Sequence, residues 1–538
     1  MNRKDRRAEK KLGRGEAPSL PLALAAAFGE AVRLHQAGQL AEAEAHYRHI
    51  LSRHPQHADS RHLMGVLAHQ VGRGDVAEQL IREAIALEPR TGAFHANLGN
   101  VLRARGQAAD ALACYQTALE LEPSSATAHN NLALGLKAVG RLDEAEQAAR
   151  RAVAIQPDFP EARAALGAIL ADAGTLDSAE RDLRQAIALR PDYAEAYDDL
   201  GTVLKEQGQV GGAIAAFRQA VQLKPDLANA HTNLAMALLA QGAFEEGWRE
   251  YEWRWRAPRM APASRGFTQP QWRGEPGEGR SLLLWAEQGY GDTIQFCRYA
   301  ALARARGFRV ILEVQSPLVR LLKRLEGADA VVVQGATLPA FDLHCPLLSL
   351  PLAFGARLET IPGSAPYLAA DPVDTGRWAK RLGDRKGLKV GIAWSGNPNT
   401  TAHARRSLPL DQLARLTETA GVRFVSLQKD DGEQLRGLPI LDLMGEAASF
   451  ADTAALIANL DLVISVDTAV AHLAGAMGKP VWLLDRFDPD WRWLLGRGDS
   501  PWYPSLTIYR QPAPGDWGAV VGEVLKHLSW KEREGPAA

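Results

Sequence analysis

The fold of the N-terminal half is decided by residues 89–123, PRTGAFHANLGNVLRARGQAADALACYQTALELEP, and by repeats of this pattern along the chain. The two prolines that bound the stretch belong to a series spaced 34 residues apart: Pro55, Pro89, Pro123, Pro157, Pro191 and Pro225. Glycine and alanine recur in the same phase, at fixed positions of two amphipathic segments per period. Small side chains let two helix backbones approach closely, and proline ends the second helix because it has no amide donor. These columns predict a series of helix–turn–helix units.

A period of 34 residues is the length of one tetratricopeptide repeat (TPR). Units are predicted to begin near residues 24, 58, 92, 126, 160 and 194, and a seventh near residue 228. We therefore expect an α-helical TPR solenoid of about seven repeats over residues 21–257.

The seventh repeat departs from the pattern, because Gly247 and Arg254 occupy alanine columns. Its second helix places Trp248, Tyr251 and Trp255 on one face. A terminal repeat has to cover a face that has no next neighbour. We interpret these aromatic residues as a cap that docks the solenoid onto the following domain, and a ligand-binding aromatic box is the alternative.

Composition is that of an ordinary globular protein. Of 538 residues 46% are hydrophobic and 23% charged, and the formal net charge of −1 gives no sign of a nucleic-acid partner. The three cysteines are far apart in the sequence, which is typical of a reducing compartment. Residues 1–20 are expected to be a disordered basic tail, with a weak polyanion contact as the alternative. No apolar run reaches the ~18 residues of a membrane span, so we expect a cytoplasmic protein.

The second half of the chain changes character. Residues 258–280 are rich in proline and glycine and are predicted to form a linker. Apolar runs then alternate with amphipathic stretches, which is typical of parallel sheets covered by helices. Two such α/β units, residues 281–385 and 386–530, predict twin Rossmann-type lobes. Ligands of such sheets bind beyond the carboxyl ends of the strands.

The loop after the first predicted strand reads Glu287-Gln288-Gly289-Tyr290-Gly291-Asp292 and leads into a helix. Glycines there allow a ligand to come close to the backbone, and a helix N-terminus offers free amides. Asp292 stands where a helix-capping residue would stand. Asp292 is therefore either a structural helix cap or a functional carboxylate.

Polar loops also follow the strands of the second lobe. Ser395 and Gly396 follow its first strand, and Arg405 and Arg406 come shortly after. Guanidinium groups match phosphate geometry, so the loop suits an anionic ligand; an exposed loop with two solvated arginines is the alternative. Gln428 and Lys429 follow the next strand and are further candidates for ligand binding.

The most informative motif follows a buried strand that ends at Val466. Asp467 and Thr468 open a helix, and His472 lies one turn after Thr468 on the same face. An acid, a hydroxyl, an imidazole and the positive end of a helix suit a diphosphate and its sugar. A packed core histidine is the alternative for His472.

Residues 281–528 resemble the two-lobed GT-B glycosyltransferases, and most closely the family of the lipopolysaccharide heptosyltransferases. The resemblance is carried by Gly291-Asp292 and by the Asp467-Thr468-x-x-x-His472 helix start. It implies that Asp292 is the catalytic base, and that Asp467, Thr468 and the amides that follow hold the donor, with His472 nearby. Two departures are Ala469 in place of a glycine and the lack of a phosphate-binding lysine, for which Arg405 or Arg406 is the expected replacement.

The repeats resemble the superhelix of the protein O-GlcNAc transferases, whose asparagine ladder holds acceptor polypeptide. The matching column here reads Asn97, Asn131, Ala165, Asp199 and Asn233, so the ladder is partial. The resemblance implies an acceptor protein or peptide held at Asn97, Asn131, Asp199 and Asn233. Hydrogen bonds from these side chains to neighbouring helices are the alternative.

Together these features resemble bacterial tetratricopeptide glycosyltransferases. We expect an inverting, metal-independent enzyme that transfers a sugar from a nucleotide-diphosphate donor, its substrate, to an acceptor, with no cofactor. The alternative hypothesis is a TPR interaction scaffold with a degenerate, inactive transferase domain. The sequence alone predicts neither the identity of the donor sugar nor that of the acceptor.

Overall fold

The structure is a computed structural model that describes residues 22–257, 265–363, 365–383, 387–396, 403–429 and 435–534. The predicted basic tail therefore lies outside the described residues. The chain divides into two compact units, Met1–Asp199 and Leu200–Ala538. The boundary falls within a helix, and the predicted domain boundaries remain predictions.

The N-terminal region is a helical TPR solenoid. Its helices are Leu22–Gln36 (α1), Leu40–Arg53 (α2), Ala58–Gln70 (α3), Gly74–Leu87 (α4), Gly92–Ala104 (α5), Ala108–Leu121 (α6), Ala126–Ala138 (α7), Leu142–Ile155 (α8), Pro160–Asp172 (α9), Leu176–Leu189 (α10), Ala194–Glu206 (α11), Val210–Leu223 (α12), Ala228–Gln241 (α13) and Phe244–Tyr251 (α14). The first helix of every repeat begins within two residues of the predicted position.

The columns of small residues are packing positions. In the second helices, Ala77, Ala111 and Ala145 are fully buried. In the first helices, a Cβ added at Gly99 would lie 2.5 Å from the ring of Tyr115. Real Cβ atoms are essentially never so close to a neighbour, so a larger residue at Gly99 would push the paired helices apart.

A further column of glycines, for which no role was predicted, marks the turn inside each repeat. Its members all have φ between +74° and +87°: Gly38, Gly72, Gly106, Gly140, Gly174, Gly208 and Gly242. L-residues with a side chain rarely adopt this left-handed conformation. The period of 34 residues is therefore set by turn geometry as well as by helix packing.

Replacement of Gly174 by alanine is expected to lower the free energy of unfolding by about 1 kcal/mol. Gly174 has φ +79° and an added Cβ would meet nothing within 4 Å, so the cost is backbone strain alone. The matched control is Gly29→Ala, on an exposed face of α1 with equal space and no positive φ, where alanine should stabilise the helix by roughly 0.5–1 kcal/mol. Thermal unfolding followed by circular dichroism measures both, and equal effects would contradict the strain argument.

Two parallel sheets form the second half of the chain, as predicted. In the first lobe the strands are Ser281–Trp285 (β1), Arg309–Val314 (β2), Ala330–Val333 (β3) and Leu343–Pro346 (β4), in the order β3-β2-β1-β4. In the second they are Leu388–Ala393 (β5), Val422–Ser426 (β6), Ile440–Leu441 (β7), Leu462–Val466 (β8), Val481–Asp485 (β9) and Leu506–Arg510 (β10), in the order β10-β9-β8-β5-β6-β7. A candidate ligand-binding loop follows β1 in the first sheet and β8 in the second. Both are interior strands.

Helices cover these sheets. They are Tyr290–Phe296 (α15), Tyr299–Ala305 (α16), Val319–Leu322 (α17), Leu350–Ala353 (α18), Pro372–Leu382 (α19), His403–Arg406 (α20), Leu410–Thr417 (α21), Phe450–Ala458 (α22), Ala469–Ala476 (α23) and Trp517–Glu534 (α24). The helix predicted after the Glu287–Asp292 loop is in fact followed closely by a second one, so that this stretch forms two helices, α15 and α16. Between them the buried Arg298 donates to the carbonyls of Gln295 (2.8 Å), Pro362 (2.9 Å) and Trp502 (2.8 Å).

The described part of the predicted linker, residues 265–280, packs against the first lobe. Gln271 forms a parallel bridge with His344 at the edge strand β4. The Trp272 amide donates to the His344 carbonyl (2.8 Å), and its indole is buried. Because Trp272 is packed in this way, the described part of the proline- and glycine-rich stretch belongs to the first lobe. Residues 258–264 lie outside the described part.

The aromatic cap of the last repeat packs as predicted. Trp248 is buried and meets the rings of Phe296 and Trp491 edge-on, with centroids 6.3 and 5.1 Å apart. Phe296 belongs to the first lobe and Trp491 follows β9 of the second. All of these residues lie in the compact unit Leu200–Ala538, so the last repeat shares its core with both sheets.

Candidate active site

Asp292 lies in α15, which follows β1. One of its carboxylate oxygens accepts a hydrogen bond from the Gly289 amide (2.8 Å), which is the capping contact considered for it. The other oxygen forms an ion pair with Arg492. The side chain is 18% exposed. Asp292 is therefore a helix-capping residue and also part of a buried charged cluster.

Arg492 links the two lobes at this point. It lies in a short 3-10 helix, Trp491–Trp493, beyond β9 of the second lobe. Its Nε donates to Gln295 Oε1 of the first lobe (2.7 Å), and its Nη1 donates to Asp490 Oδ1 (2.8 Å). The guanidinium also lies 4.2 Å from the centre of the Trp491 ring. Every edge of Arg492 is therefore in contact with a protein group.

Burial and charge act in opposite directions on this cluster. Burial raises the pKa of Asp292, and the Arg492 guanidinium opposes that shift. Burial also disfavours the charged form of Asp490, but Arg492 and a backbone hydrogen bond together hold the pKa of Asp490 below its usual range. Although burial alone would lower it, the pKa of Arg492 is raised by Asp490 and Asp292. Arg492 thus favours the ionised form of both carboxylates against the effect of burial.

No role was predicted from the sequence for Arg492 or Asp490. The two are 200 and 198 residues away from Asp292 in the chain, and no local spacing relates them to it. The one signal that pointed to them was their position directly after β9, at the carboxyl edge of the second sheet.

The Asp467–His472 motif lies opposite α15, after β8. Thr468 is the N-cap of α23, and its hydroxyl accepts from the Val470 amide (3.3 Å). An oxygen of Asp467 lies 3.6 Å from Arg406 Nη2 and the other lies 3.9 Å from His472 Nε2. Burial raises the pKa of Asp467, and Arg406 opposes that shift. The predicted motif therefore forms one cluster with Arg406.

His472 joins this cluster to the first lobe. A Cβ added at Gly291 would lie 2.8 Å from His472 Cδ2, so only glycine allows the two chain segments to approach so closely. His472 is buried, hydrogen-bonds the Tyr503 hydroxyl through Nδ1 (2.9 Å), and stacks on Trp493. Burial, together with the Arg492 charge, lowers the pKa of His472 to about 3. The imidazole is therefore a neutral, packed group.

The polar loops of the second lobe meet on the other side of Arg406. The Ser395 amide donates to Gln428 Oε1 (3.2 Å), and the Gly396 amide donates to Ser407 Oγ (3.4 Å). A Cβ added at Gly396 would lie 3.1 Å from the Arg406 side chain. These loops therefore form one surface with Arg406.

The remaining two predicted donor-binding residues are Arg405 and Lys429. Arg405 forms an ion pair with Glu206 in α11 (2.8 Å). Lys429 is exposed on the loop after β6. Arg406, whose Nε has no hydrogen-bond partner among the described residues, is the better placed of the two arginines to replace the missing lysine.

The predicted acceptor column lies in both compact units. In the N-terminal unit Asn97 Nδ2 is 2.9 Å from His62 Nε2, and Asn131 is buried. The Asn97 contact matches the structural alternative considered for that residue. Asp199 also lies in this unit, whereas Asn233 belongs to α13 in the other unit.

A small cavity of about 70 Å³ lies beside the charged cluster, between the last repeats and the second lobe. Its lining includes Lys205, Met236, Phe487, Asp490 and Trp491. Burial lowers the pKa of Lys205, and Asp488 opposes that shift. Within the described residues no group of three or more His, Cys, Asp or Glu side chains could hold a metal ion.

Family models match both halves of the chain. Tetratricopeptide models match residues 34–99, 99–140, 132–194 and 201–242. The model of glycosyltransferase family 9 (heptosyltransferase) matches residues 411–484, which include the Asp467–His472 motif. The first half of the chain thus contains tetratricopeptide repeats, and part of the C-terminal region is similar to glycosyltransferase family 9, as the sequence resemblance implied.

Among curated proteins, the chain is similar to Protein FlbA of Caulobacter vibrioides. The two are 28% identical over 317 residues, which cover 53% of this chain and 52% of FlbA. The chain thus matches about half the length of this relative.

Solved structures match the chain at low overall similarity. The APC/C hetero-tetramer Cut9–Hcn1 matches 41% of this chain and 44% of its own at 19% identity and a TM-score of 0.39. A thermophilic TPR protein of Thermus thermophilus matches 34% of this chain and 99% of its own, at 23% identity and a TM-score of 0.32. TM-scores this low support no further argument.

No helix in the described part of the chain combines the length and apolar character that crossing a membrane requires. Cys297 and Cys345 are buried and Cys114 is partly buried, and none of the three forms a disulfide.

Replacement of His472 by glutamine should make the protein less sensitive to acid. The unfolded chain binds a proton at histidine below a pH of about 6.5, whereas folded His472 stays neutral down to about 3. The unfolded state therefore binds more protons in this window, and His472 lowers the free energy of unfolding by up to about 1.4 kcal/mol per pH unit as the pH falls. Thermal unfolding from about pH 7 to pH 4 measures the difference between the wild type and His472→Gln.

The control for this comparison is His49→Gln, because His49 is exposed on α2. The control should follow the wild-type pH dependence. Identical pH profiles for His472→Gln and the wild type would show that the buried imidazole is not neutral.

Proposed function

We propose that this chain is an inverting glycosyltransferase that moves a sugar from a nucleotide-diphosphate donor to an acceptor, which is a protein held by the repeats. One observation carries the proposal. The loop that carries Asp292, whose carboxylate is held by Arg492, packs at Gly291 against His472 and Ala469 of the helix that Asp467 and Thr468 begin. This arrangement supplies a proton acceptor and an anion-binding helix end at the same site.

Asp292 is the proposed catalytic base. A base has to be ionised and needs a pKa high enough to accept the acceptor's hydroxyl proton. Burial raises the pKa of Asp292, while Arg492 favours the ionised form of the carboxylate. The Gly289 amide and Arg492 together orient the carboxylate. With its proton on Asp292, the acceptor oxygen attacks the anomeric carbon and the nucleoside diphosphate leaves from the opposite face.

The second lobe is proposed to hold the donor. The first amides of α23 and the positive end of that helix favour the diphosphate. Arg406 lies between this helix start and the Ser395-Gly396 loop, and its Nε has no hydrogen-bond partner among the described residues. Arg406 and the helix end would offset the charge that develops on the leaving diphosphate. No metal enters this scheme, and metal independence is part of the proposal.

The acceptor is proposed to be a polypeptide because the repeats extend up to the cluster. The cavity lined by Lys205 and Met236 of the repeats shares Asp490 and Trp491 with the surroundings of Arg492. A chain held by the repeats could enter the site there. A cytoplasmic location is likewise part of the proposal, since the donor would be a cytoplasmic metabolite.

Asp292→Asn is expected to lower turnover by about 10²- to 10⁴-fold while donor affinity changes little. Asparagine keeps an oxygen for the Gly289 amide but cannot accept the proton. The donor is first identified from a panel of nucleotide-diphosphate sugars, by release of nucleotide and mass spectrometry of acceptor protein. Calorimetry of the identified donor then separates binding from transfer.

Asp411→Asn is the matched control, because Asp411 is an exposed acidic residue on α21 of the second lobe. Full turnover by Asp292→Asn would remove Asp292 from the role of base. If the wild type binds no member of the panel, the scaffold hypothesis with an inactive transferase domain takes its place.

A second test of the acceptor column uses the protonation state of Asp199. Its burial, and then the neighbouring Asp198, raise the pKa of Asp199 to about 7. A protonated carboxyl group has both a donor and an acceptor, like the asparagine amide found at Asn97 and Asn131 of the same column. Near neutral pH, Asp199 can therefore take the place of an asparagine.

Asp199→Asn is expected to stabilise the protein above a pH of about 7. The folded chain keeps its proton at Asp199 up to about pH 7, whereas the unfolded chain releases it near 3.8, so wild-type stability falls as pH rises through this window. The variant avoids this loss, which we expect to be about 1–3 kcal/mol at pH about 8 relative to pH about 4. Thermal unfolding measures it, with the exposed Asp158→Asn as control; equal pH profiles would show that Asp199 is an ordinary surface acid.

A further inference from the structure

The last repeat touches the loop that carries Asp292. The second helix of this repeat, α14, continues into a 3-10 helix, Glu252–Arg256. Both lie in the compact unit that contains the two sheets. Side chains from these two helices contact the Glu287–Asp292 loop at two points and the surroundings of Arg492 at a third.

The first contact is a hydrogen bond to the loop. Gln288 Nε2 donates to the hydroxyl of Tyr251 (3.0 Å), and the tyrosine is buried. On the other side of the loop, Gln315 Nε2 donates to the Gln288 carbonyl (2.7 Å), and the Thr293 hydroxyl donates to Gln315 Oε1 (2.9 Å). The loop is thus held from the first lobe by Gln315 and from the last repeat by Tyr251.

The second contact is a buried ion pair. Arg254 Nη2 donates to Glu287 Oε1 (3.2 Å) and to Ser349 Oγ (2.7 Å). Neither the arginine nor the glutamate side chain is more than 1% exposed. Glu287 also accepts from the amides of Leu347 (3.1 Å) and Leu348 (3.0 Å). Arg254 also pairs with Glu252 (2.7 Å), so loss of Arg254 would cost most at Glu287, whose buried carboxyl group would keep only the two amides.

The third contact reaches the partner of Asp292. Trp248 packs edge-on against Trp491 and Phe296. Trp491 supports the Arg492 guanidinium 4.2 Å above its ring, and Phe296 follows Gln295, which accepts from Arg492 Nε. The last repeat therefore supports both members of the Asp292–Arg492 pair.

From these contacts we propose that the last tetratricopeptide repeat is a positioning element of the catalytic centre, through Tyr251 and Arg254 as positioning residues. They hold the loop that orients Asp292 and do not touch the reacting atoms themselves. The functional part of this inference rests on the proposed function. Its consequence is that the repeats contribute to the chemical step as well as to acceptor binding.

The test uses the full-length chain and Tyr251→Phe, which removes one hydroxyl and keeps the ring. Hydrogen exchange measured by mass spectrometry over residues 286–296 should be about three- to ten-fold faster than in the wild type, because the loop loses its hydrogen bond to Tyr251, one of its anchors to the last repeat. Gln288→Met removes the same hydrogen bond from the other side and should give the same acceleration, so the test survives if one variant fails to fold.

Tyr299→Phe is the matched control. Tyr299 is also a buried tyrosine of this region, and its hydroxyl has no hydrogen-bond partner among the described residues. The control should leave exchange in the loop unchanged. Exchange in Tyr251→Phe that equals the control would overturn the proposal and reduce the last repeat to a packing surface.

Turnover gives the second readout. With an active donor, Tyr251→Phe should lower kcat about ten-fold at unchanged donor KM, since loss of orientation affects the chemical step and not donor binding. A wild-type kcat despite a loosened loop would overturn the catalytic part of the inference. If the wild type transfers no sugar from any donor, the proposed function fails, and the exchange experiment still decides whether the last repeat positions the loop.

Discussion

The ion pair between Asp292 and Arg492 is the contact on which the candidate site depends. Asp292 belongs to the first lobe and Arg492 to the second, and both side chains are mostly buried. Buried charges are stable only when they are paired and hydrogen-bonded, and here Arg492 satisfies that condition with Asp292, Asp490 and Gln295 together. Separation of the lobes would leave Asp292 without its charged partner and would leave Arg492 paired with Asp490 of its own lobe. The same pair therefore joins the two lobes and opposes the rise that burial causes in the pKa of Asp292.

The topology explains why these groups meet. Both sheets are parallel, and β1 and β8 are interior strands, so the loops that follow them leave from the carboxyl edges of their sheets. Helices α15 and α23 start from these loops, and Gly291 lets them approach to contact distance of His472. The repeats then add a third wall through Trp248 and Tyr251. A site built from three elements in this way has little freedom to shift without loss of buried contacts.

Periodic features were predictable from the sequence, and long-range pairings were not. The 34-residue columns placed the first helix of every repeat within two residues, because the packing of small side chains recurs from unit to unit. The sequence motifs also brought Asp292, Asp467 and His472 to one site. Arg492 and the Arg254–Glu287 pair were missed, since residues 33 to 200 positions apart share no local pattern. For Arg405 the motif suggested a phosphate ligand, whereas the structure pairs it with Glu206.

The two departures from the family pattern have one physical explanation at the helix start. Ala469 Cα lies 3.6 Å from the position of a Cβ added at Gly291, so the helix start is packed against the first lobe. Ala469 is partly buried there. Arg406 lies 3.6 Å from Asp467 at the same helix start, and its Nε has no hydrogen-bond partner among the described residues. Because an arginine offers several donors in a plane, Arg406 would, in the proposed function, hold the diphosphate on the side of the Ser395-Gly396 loop. Loss of the lysine and gain of Ala469 are thus compatible with one shifted donor position.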